Sequence, residues 1–507
     1  MKFIIWSLFL LFNLSFAFDV ATDYLSQILA ITGKTTDKSF QFPISNAGDI
    51  NNDGMDDIII GGYGLEDEGK LESAYLIYGQ STFSSVDIGF ETFTVTPAEA
   101  GIAITGTEDW DGFGTFVSGA GDIDGDENDD FMIGAYRKSN RQGRVYVVYG
   151  KSDLQNMNLL TPGLDPATTG FTISGNVDEN YLGFSISKAG RINDDGLDDI
   201  IVGIHGKNNQ KGAAVVIYGE SKATRSNIDV NDPLATISPG TAGFSMLGKE
   251  DGDLFGYSVS NAGDVNDDGR DDVIVGAPGK DNRKGAVYVI YGSQSPVNID
   301  LSVETLDPAT TGFVVKGSAE GDLFGASVSA AGDFNGDGID DIIIGANSTE
   351  SGRGAVYIIY GSQTPSDIDL LTDPLEAAST GFVIKGAAPG DQFGFSVKSL
   401  GDLNGDGLSD VMVGAPGQGG SSQGAVHVIY GKKPESLSSD VMDLSTTPLD
   451  PVTTGFTFTR DVADGKFGYS ISSGDFNDDQ KTELFVGTMT NSNTAPSVGY
   501  VIGLSRK

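Results

Sequence analysis

The chain has 507 residues, with 71 Asp or Glu against 31 Lys or Arg, for a net charge of −40. So acidic a composition argues against nucleic acid and anionic membrane surfaces as partners, since both need basic patches. There is no cysteine, which excludes thiol catalysis and Cys-ligated metal sites.

Residues 1–17 read as a secretory signal peptide. Lys2 supplies the positive start, residues 3–14 form an apolar stretch, and Ser15-Phe16-Ala17 offers small residues at a cleavage site. A signal anchor is the alternative, although the apolar run is short for a membrane span. No other segment is long and apolar enough to cross a bilayer. The expectation is a secreted, extracellular mature chain of residues 18–507 with no membrane span, forming one domain.

A Gly-terminated strand is predicted at residues 28–33. A nine-residue acidic loop then recurs seven times, starting at residues 49, 122, 191, 264, 333, 402 and 475, at spacings of 69 or 73. A fixed period of this size marks an array of equal structural units. The unit at 312–361 shows the plan. Residues 312–317 alternate apolar and polar, a polar turn follows, and residues 324–328 lead into the loop at Asp333. Residues 341–346 and 355–361 complete the unit. Four short runs rich in Val, Ile, Phe and Tyr, bounded by Gly, Asp and Asn, are strand and turn chemistry. Radial repetition of such units predicts an all-β fold: a seven-bladed β-propeller of four-stranded antiparallel blades. The chain ends with Gly499-Tyr500-Val501-Ile502-Gly503, which matches the third strand of a unit. The N-terminal strand is therefore expected to join the last blade as its outermost strand and close the ring.

The loops carry oxygen donors at alternate positions, as calcium requires. The first offers Asp49, Asn51 and Asp53 at positions 1, 3 and 5, the backbone carbonyl of Met55 at position 7, and Asp57 at position 9. The same set recurs as Asp264, Asn266, Asp268, Arg270 and Asp272, as Asp333, Asn335, Asp337, Ile339 and Asp341, and as Asp402, Asn404, Asp406, Leu408 and Asp410. Gly at position 6 permits the sharp turn. The second loop has Asp122, Asp124, Asp126, Asn128 and Asp130, but Glu127 replaces the Gly. The seventh has Asp475, Asn477, Asp479, Lys481 and Glu483 with Gln480 at position 6, and weaker binding is expected there. The third opens with Arg191, which is expected to pair with Asp195 and Asp199 and exclude an ion. Packing so many carboxylates into nine positions is repulsive without a cation, and about four to six calcium ions are expected. Asn347-Ser348-Thr349 is a glycosylation acceptor triplet, which points to Asn347.

Phe255-Gly256 with Gly276-Ala277-Pro278, and Phe393-Gly394 with Gly414-Ala415-Pro416, flank two of these loops. Phe113-Gly114, Phe324-Gly325 and Phe467-Gly468 are partial copies, Leu182-Gly183 is weaker, and Phe40-Gln41 departs most. The pattern resembles FG-GAP repeats, found in the head of integrin α chains. The resemblance implies a seven-bladed propeller with calcium in the hairpin loops of one face, and a role in adhesion or ligand recognition. Unlike an integrin α chain, this sequence shows no further sandwich domains, membrane span or basic tail.

The function expected is a secreted, calcium-stabilised module that recognises an extracellular protein or glycan. Trp110, Tyr136 and Tyr181 are candidates for ligand contact. The alternatives are a structural matrix or surface-coat protein without a defined ligand, and a carboxylate-dependent glycan-active enzyme. An enzyme is not expected. Only His205 and His427 are available as histidines. His427 stands where other units have Tyr and is read as a packed strand residue, while His205 is read as a solvated loop residue.

Overall fold

A computed structural model describes residues 25–33, 40–41, 43–64, 72–82, 86–89, 94–96, 100–106, 110–160, 163–239, 241–437, 439–459, 465–490 and 498–504. The signal-peptide segment lies outside them.

The fold is an all-β propeller. One sheet shows how sequence makes a blade. Strands Ser258–Gly263, Asp272–Ala277, Ala286–Ile290 and Gly312–Lys316 pair antiparallel in that order. The second strand, Asp-Val-Ile-Val-Gly-Ala, is buried throughout, because it is covered on both faces. Val273 and Val275 face one way, into a core shared with Ile201 and Val216 of the preceding unit. Ile274 faces the other way, into a core shared with Ile342 and Ile344 of the following unit. The period-2 alternation of a strand thus divides its side chains between two inter-sheet cores.

The repeated Phe-Gly and Gly-Ala dipeptides are the contact points between units. Phe255 is fully buried and packs edge-on to Tyr288, with ring centroids 5.2 Å apart. Gly256 follows at φ +84°, a left-handed conformation that favours glycine. Its N–H donates to the Gly276 carbonyl at 3.0 Å. Gly276 in turn faces the next unit, where a Cβ would lie 2.1 Å from the Gly325 carbonyl oxygen. Only glycine allows the neighbouring backbone so close.

A ring of seven equal four-stranded antiparallel blades, expected from the repeat, is not what forms. Six sheets are each built around one repeat unit, and they hold from four to seven strands. In five of them a short strand from the following unit adds in parallel to the outer edge, as Ile368–Asp369 does beside Gly312–Lys316. Among the described residues, the sheet of Ser396–Gly401, Asp410–Ala415, Ala425–Ile429 and Gly455–Thr459 has no such addition. The linker that would supply it falls between the two ends of the chain. The sheet of the first unit is widened to seven strands by Phe40–Gln41 and Met489–Thr490.

The remaining sheet is a composite of both ends, ordered Ser470–Gly474, Glu483–Gly487, Val498–Leu504, Leu25–Gly33, Val86–Gly89 and Thr94–Thr96. Leu25–Gly33 pairs antiparallel with Val498–Leu504. It is not the outermost strand: Val86–Gly89 pairs with it in parallel, and Thr94–Thr96 lies beyond. The sequence expectation missed these additions because the strands involved are only two to four residues long and leave no periodic signal.

Candidate functional site

Each acidic loop joins the first strand of a unit to its second. The position-1 carboxylate curls it. In the loop at Asp264, Asp264 Oδ1 accepts the Asp268 N–H at 3.0 Å and Oδ2 accepts the Gly269 N–H at 2.8 Å. The same pair recurs from Asp49, Asp122, Asp333, Asp402 and Asp475. Where Arg191 replaces this Asp, Asn193 Oδ1 takes the Asp195 N–H instead. The position-5 carboxylate then accepts the position-7 N–H, as Asp53 does from Met55, Asp126 from Asn128, Asp268 from Arg270, Asp337 from Ile339, Asp406 from Leu408 and Asp479 from Lys481. That contact turns the position-7 peptide around the loop interior.

The position-9 carboxylates are the buried floor. Asp272 accepts the Val265 N–H at 3.1 Å and the Gly292 N–H at 2.8 Å, and Asp57, Asp130, Asp341 and Asp410 repeat this pattern. Burial pushes Asp57, Asp130, Asp272 and Asp341 well above the usual carboxylate range. It pushes Asp410 up to about 7 and Glu483 up to about 8. A carboxylate has about four lone-pair sites, so two N–H bonds leave capacity for a cation. A cation would offset the burial penalty. Asn51 Oδ1 is a buried amide oxygen with no hydrogen-bond partner among the described residues. The donors are all hard oxygens, with Asn51, Asn266, Asn335, Asn404 and Asn477 at position 3. This set fits calcium.

Among the described residues, one group of three carboxylates has ligand atoms within 4.8 Å of one another: Asp122, Asp124 and Asp130. Arg191 does not reach Asp195 or Asp199. Asp199 is buried and accepts the N–H groups of Ile192 and Gly219, whereas the Arg191 side chain stays exposed and lies 3.9 Å from Asp198.

Sequence reasoning missed position 8. Asp56, Asp129, Asp198, Asp271 and Asp340 each accept the backbone N–H of the first residue of an adjacent loop, at 2.7 to 3.1 Å. The recurrence of Asp at this position was the available signal. Several of these residues border a central cavity of about 650 Å³, which is also lined by Ser45, Ser118, Ser260 and Lys398.

The opposite end of the strands carries aromatic side chains, at about 3.3 Å per residue and so roughly 17 Å from the acidic loops. Tyr136 stacks on Tyr181 at 6.2 Å and Tyr181 on His205 at 5.1 Å. Phe184 contacts Phe116, His205 and Tyr257 at 4.6, 4.4 and 5.0 Å. All six are half-buried. Phe184 and Tyr257 directly follow the Gly of the Leu-Gly or Phe-Gly dipeptide, a position that is also aromatic at Phe395 and Tyr469. Trp110 is exposed, at φ +63°, and outside this cluster.

His205 is therefore not a solvated loop residue. Burial beneath Tyr181 and Phe184 lowers its pKa to about 4. His427 is buried in strand Ala425–Ile429. Its Nε2 meets Gln418 Oε1 at 2.8 Å and its Nδ1 meets the Thr457 hydroxyl at 2.9 Å. Asn347 is half-buried, and the buried Thr349 of its triplet donates to the Ala346 carbonyl. No helix among the described residues is long and apolar enough to cross a membrane.

The FG-GAP repeat family matches at residues 255–290, 324–359 and 393–429. Integrin alpha pat-2 of Caenorhabditis elegans is 32% identical over 285 residues, covering 52% of this chain and 21% of that protein. Integrin alpha-5 of Xenopus laevis is 30% identical over 253 residues, covering 47% and 20%. Phosphatidylinositol-glycan-specific phospholipase D of Rattus norvegicus is 32% identical over 206 residues, covering 37% and 22%. The chain spans about a fifth of the length of these relatives.

Proposed function

We propose that this chain, an FG-GAP repeat protein resembling the integrin α propeller, is a secreted recognition module whose acidic loops bind calcium and whose aromatic face contacts an extracellular protein or glycan. The observation that carries this reading is the division of chemistry between the two ends of the strands. One end gathers half-buried rings around Tyr181 and Phe184. Rigid aromatic side chains supply large contact area at low entropic cost and are favoured in binding surfaces. The other end gathers carboxylates with calcium-type spacing, remote from the contact surface and suited to stabilising the scaffold.

In the loops beginning at Asp49, Asp264, Asp333 and Asp402, the side chains at positions 1, 3, 5 and 9 and the position-7 carbonyl would hold the ion. Calcium supplies positive charge to a fold that lacks disulfides, and its binding free energy adds to folding. The loops at 122 and 475 depart from the pattern at position 6.

The test is binding of the purified chain to arrays of extracellular proteins and glycans, with Tyr181→Ala and Tyr257→Ala beside the parent. The reading expects a ligand whose binding falls at least tenfold in both variants at unchanged melting temperature. Binding that ignores both variants would move recognition to another surface. Retention by the arrays of no component at all would favour a structural coat protein.

A further inference from the structure

The loop at 122–130 departs from its siblings in two linked ways. It has Asp124 at position 3, where the other six have Asn, and a lysine from the following unit reaches its carboxylates at positions 3 and 5. Glu220 N–H donates to the Ile123 carbonyl at 2.8 Å, which fixes the segment after Gly219 against the loop. Lys222 Nζ then lies 2.9 Å from Asp124 Oδ2 and also contacts Asp126. The ammonium sits 4.8 Å from the Tyr149 ring centroid, a cation–π contact that holds it from the other side.

We propose that Lys222 is the resident cation of this loop: its ammonium takes the place that a divalent ion takes in the loops beginning at Asp49, Asp264, Asp333 and Asp402, and the loop binds no calcium ion of its own.

Three observations support this. The linkers of the neighbouring units also reach a preceding loop, but with Gln. Gln294 Nε2 donates to Asp194 Oδ2 at 2.8 Å and Gln363 Nε2 to Asp267 Oδ2 at 2.7 Å. Both acceptors are at position 4, on the rim. The second loop has Gly125 at position 4 and so no rim acceptor; Ser221 stands where the Gln does, and Lys222, one residue further on, passes inward to positions 3 and 5. The Asp124 side chain is 1% exposed, and its Oδ1 has no hydrogen-bond partner among the described residues; a buried carboxylate of this kind needs a cation beside it. The charges also match: the extra negative charge of Asp124 is met by the positive charge of Lys222. A tethered ammonium is a compact cation with three donors that is always at hand, whereas calcium must be recruited from solution.

The proposal rests on the calcium assignment of the intact loops, and the experiment separates the two. Calcium titration calorimetry is run on the full chain, on Lys222→Gln, and on Asp124→Asn with Lys222→Gln, which restores the donor set of the sibling loops. Each is also melted in EGTA. The double variant is expected to bind one more ion than the parent, or one ion at least tenfold more tightly. Lys222→Gln is expected to melt lower than the parent in EGTA, with Asp124→Asn restoring much of the loss. Equal ion counts and affinities in all three proteins, with binding in the parent intact, would overturn the proposal. If none binds calcium, the calcium reading itself fails. The EGTA melts then decide Lys222: restoration by Asp124→Asn supports the internal ion pair, and its absence overturns it.

Discussion

Asp340 and Asp264 are joined across two neighbouring blades: the Asp264 backbone N–H donates to Asp340 Oδ2 at 3.0 Å. The carboxylate lies at the eighth position of one acidic loop and the N–H at the first position of the loop before it. Asp340→Ala leaves that N–H without its acceptor, and a loss of about 1–3 kcal/mol is expected. At the equivalent place Ser409 makes the junction through its own backbone N–H to the Asp333 carbonyl at 2.9 Å. Ser409→Ala should therefore stay within about 0.5 kcal/mol. Melting midpoints of the two variants in one buffer check this, and equal losses would refute it.

Gly276→Ala tests the inter-blade contact. The added methyl meets the Gly325 carbonyl oxygen at 2.1 Å and the Ser258 Oγ at 2.2 Å. The backbone cannot swing aside as a flexible side chain would, so a loss of about 3 kcal/mol is expected. Gly269→Ala has nothing within 4 Å but sits at φ +88°, so only backbone strain of about 1 kcal/mol applies. Denaturation midpoints for the pair separate crowding from strain.

Acid should expose the two histidines. Burial lowers both His205 and His427 to about 4 from 6.5. The unfolded chain then binds more protons than the folded one between those values, so their contribution is complete above about 6.5 and is lost as pH falls through about 4. Glu72 acts in the opposite sense: burial and the neighbouring Asp111 push it up to about 8, so its contribution is lost as pH rises toward that value. The difference between parent and variant isolates the histidine. His427→Tyr restores the residue that Tyr288 and Tyr357 supply in other units, where each packs edge-on to the Phe-Gly phenyl ring, as His427 does to Phe393. Its melting temperature should fall less than the parent's between pH 7 and pH 4.5. Parallel curves would mean that His427 titrates normally.

Chelation should lower the melting midpoint, loop by loop. At calcium one hundred times the dissociation constant, a single site contributes about 2.7 kcal/mol. Asp268→Ala removes the position-5 carboxylate of one loop, so titration should find one ion fewer and a smaller gap between the calcium and EGTA melts. An unchanged ion count would remove that loop from the metal-binding set.

The repeat, the propeller class and the Phe-Gly and Gly-Ala signatures were legible because each is written within a few consecutive residues and copied along the chain. What stayed hidden depends on residues far apart. Lys222 reaches Asp126 across 96 positions, and no local pattern announces it. The parallel edge strands are two or three residues long, too short for alternation to register. The last unit is one residue shorter before its loop: its first strand, Ser470–Gly474, pairs without the irregularity seen near Gly263 and Gly332. The aromatic cluster was half visible. Tyr136 and Tyr181 stood out as single residues, but their convergence with Phe184 and Tyr257 follows from the packing of three neighbouring units.

Because Leu25–Gly33 pairs with Val498–Leu504, the earlier strand must wait at the ribosome for a partner made long after it. At about 5–20 residues per second, that interval is roughly 20 to 90 seconds. During it the blades between can form in order of synthesis, each covering the face of the one before, while the opening strand keeps an unsatisfied edge. The ring is thus a clasp that translation fastens only once Val498–Leu504 has emerged, and a chain interrupted before that strand would be left as an open arc instead of a closed circle.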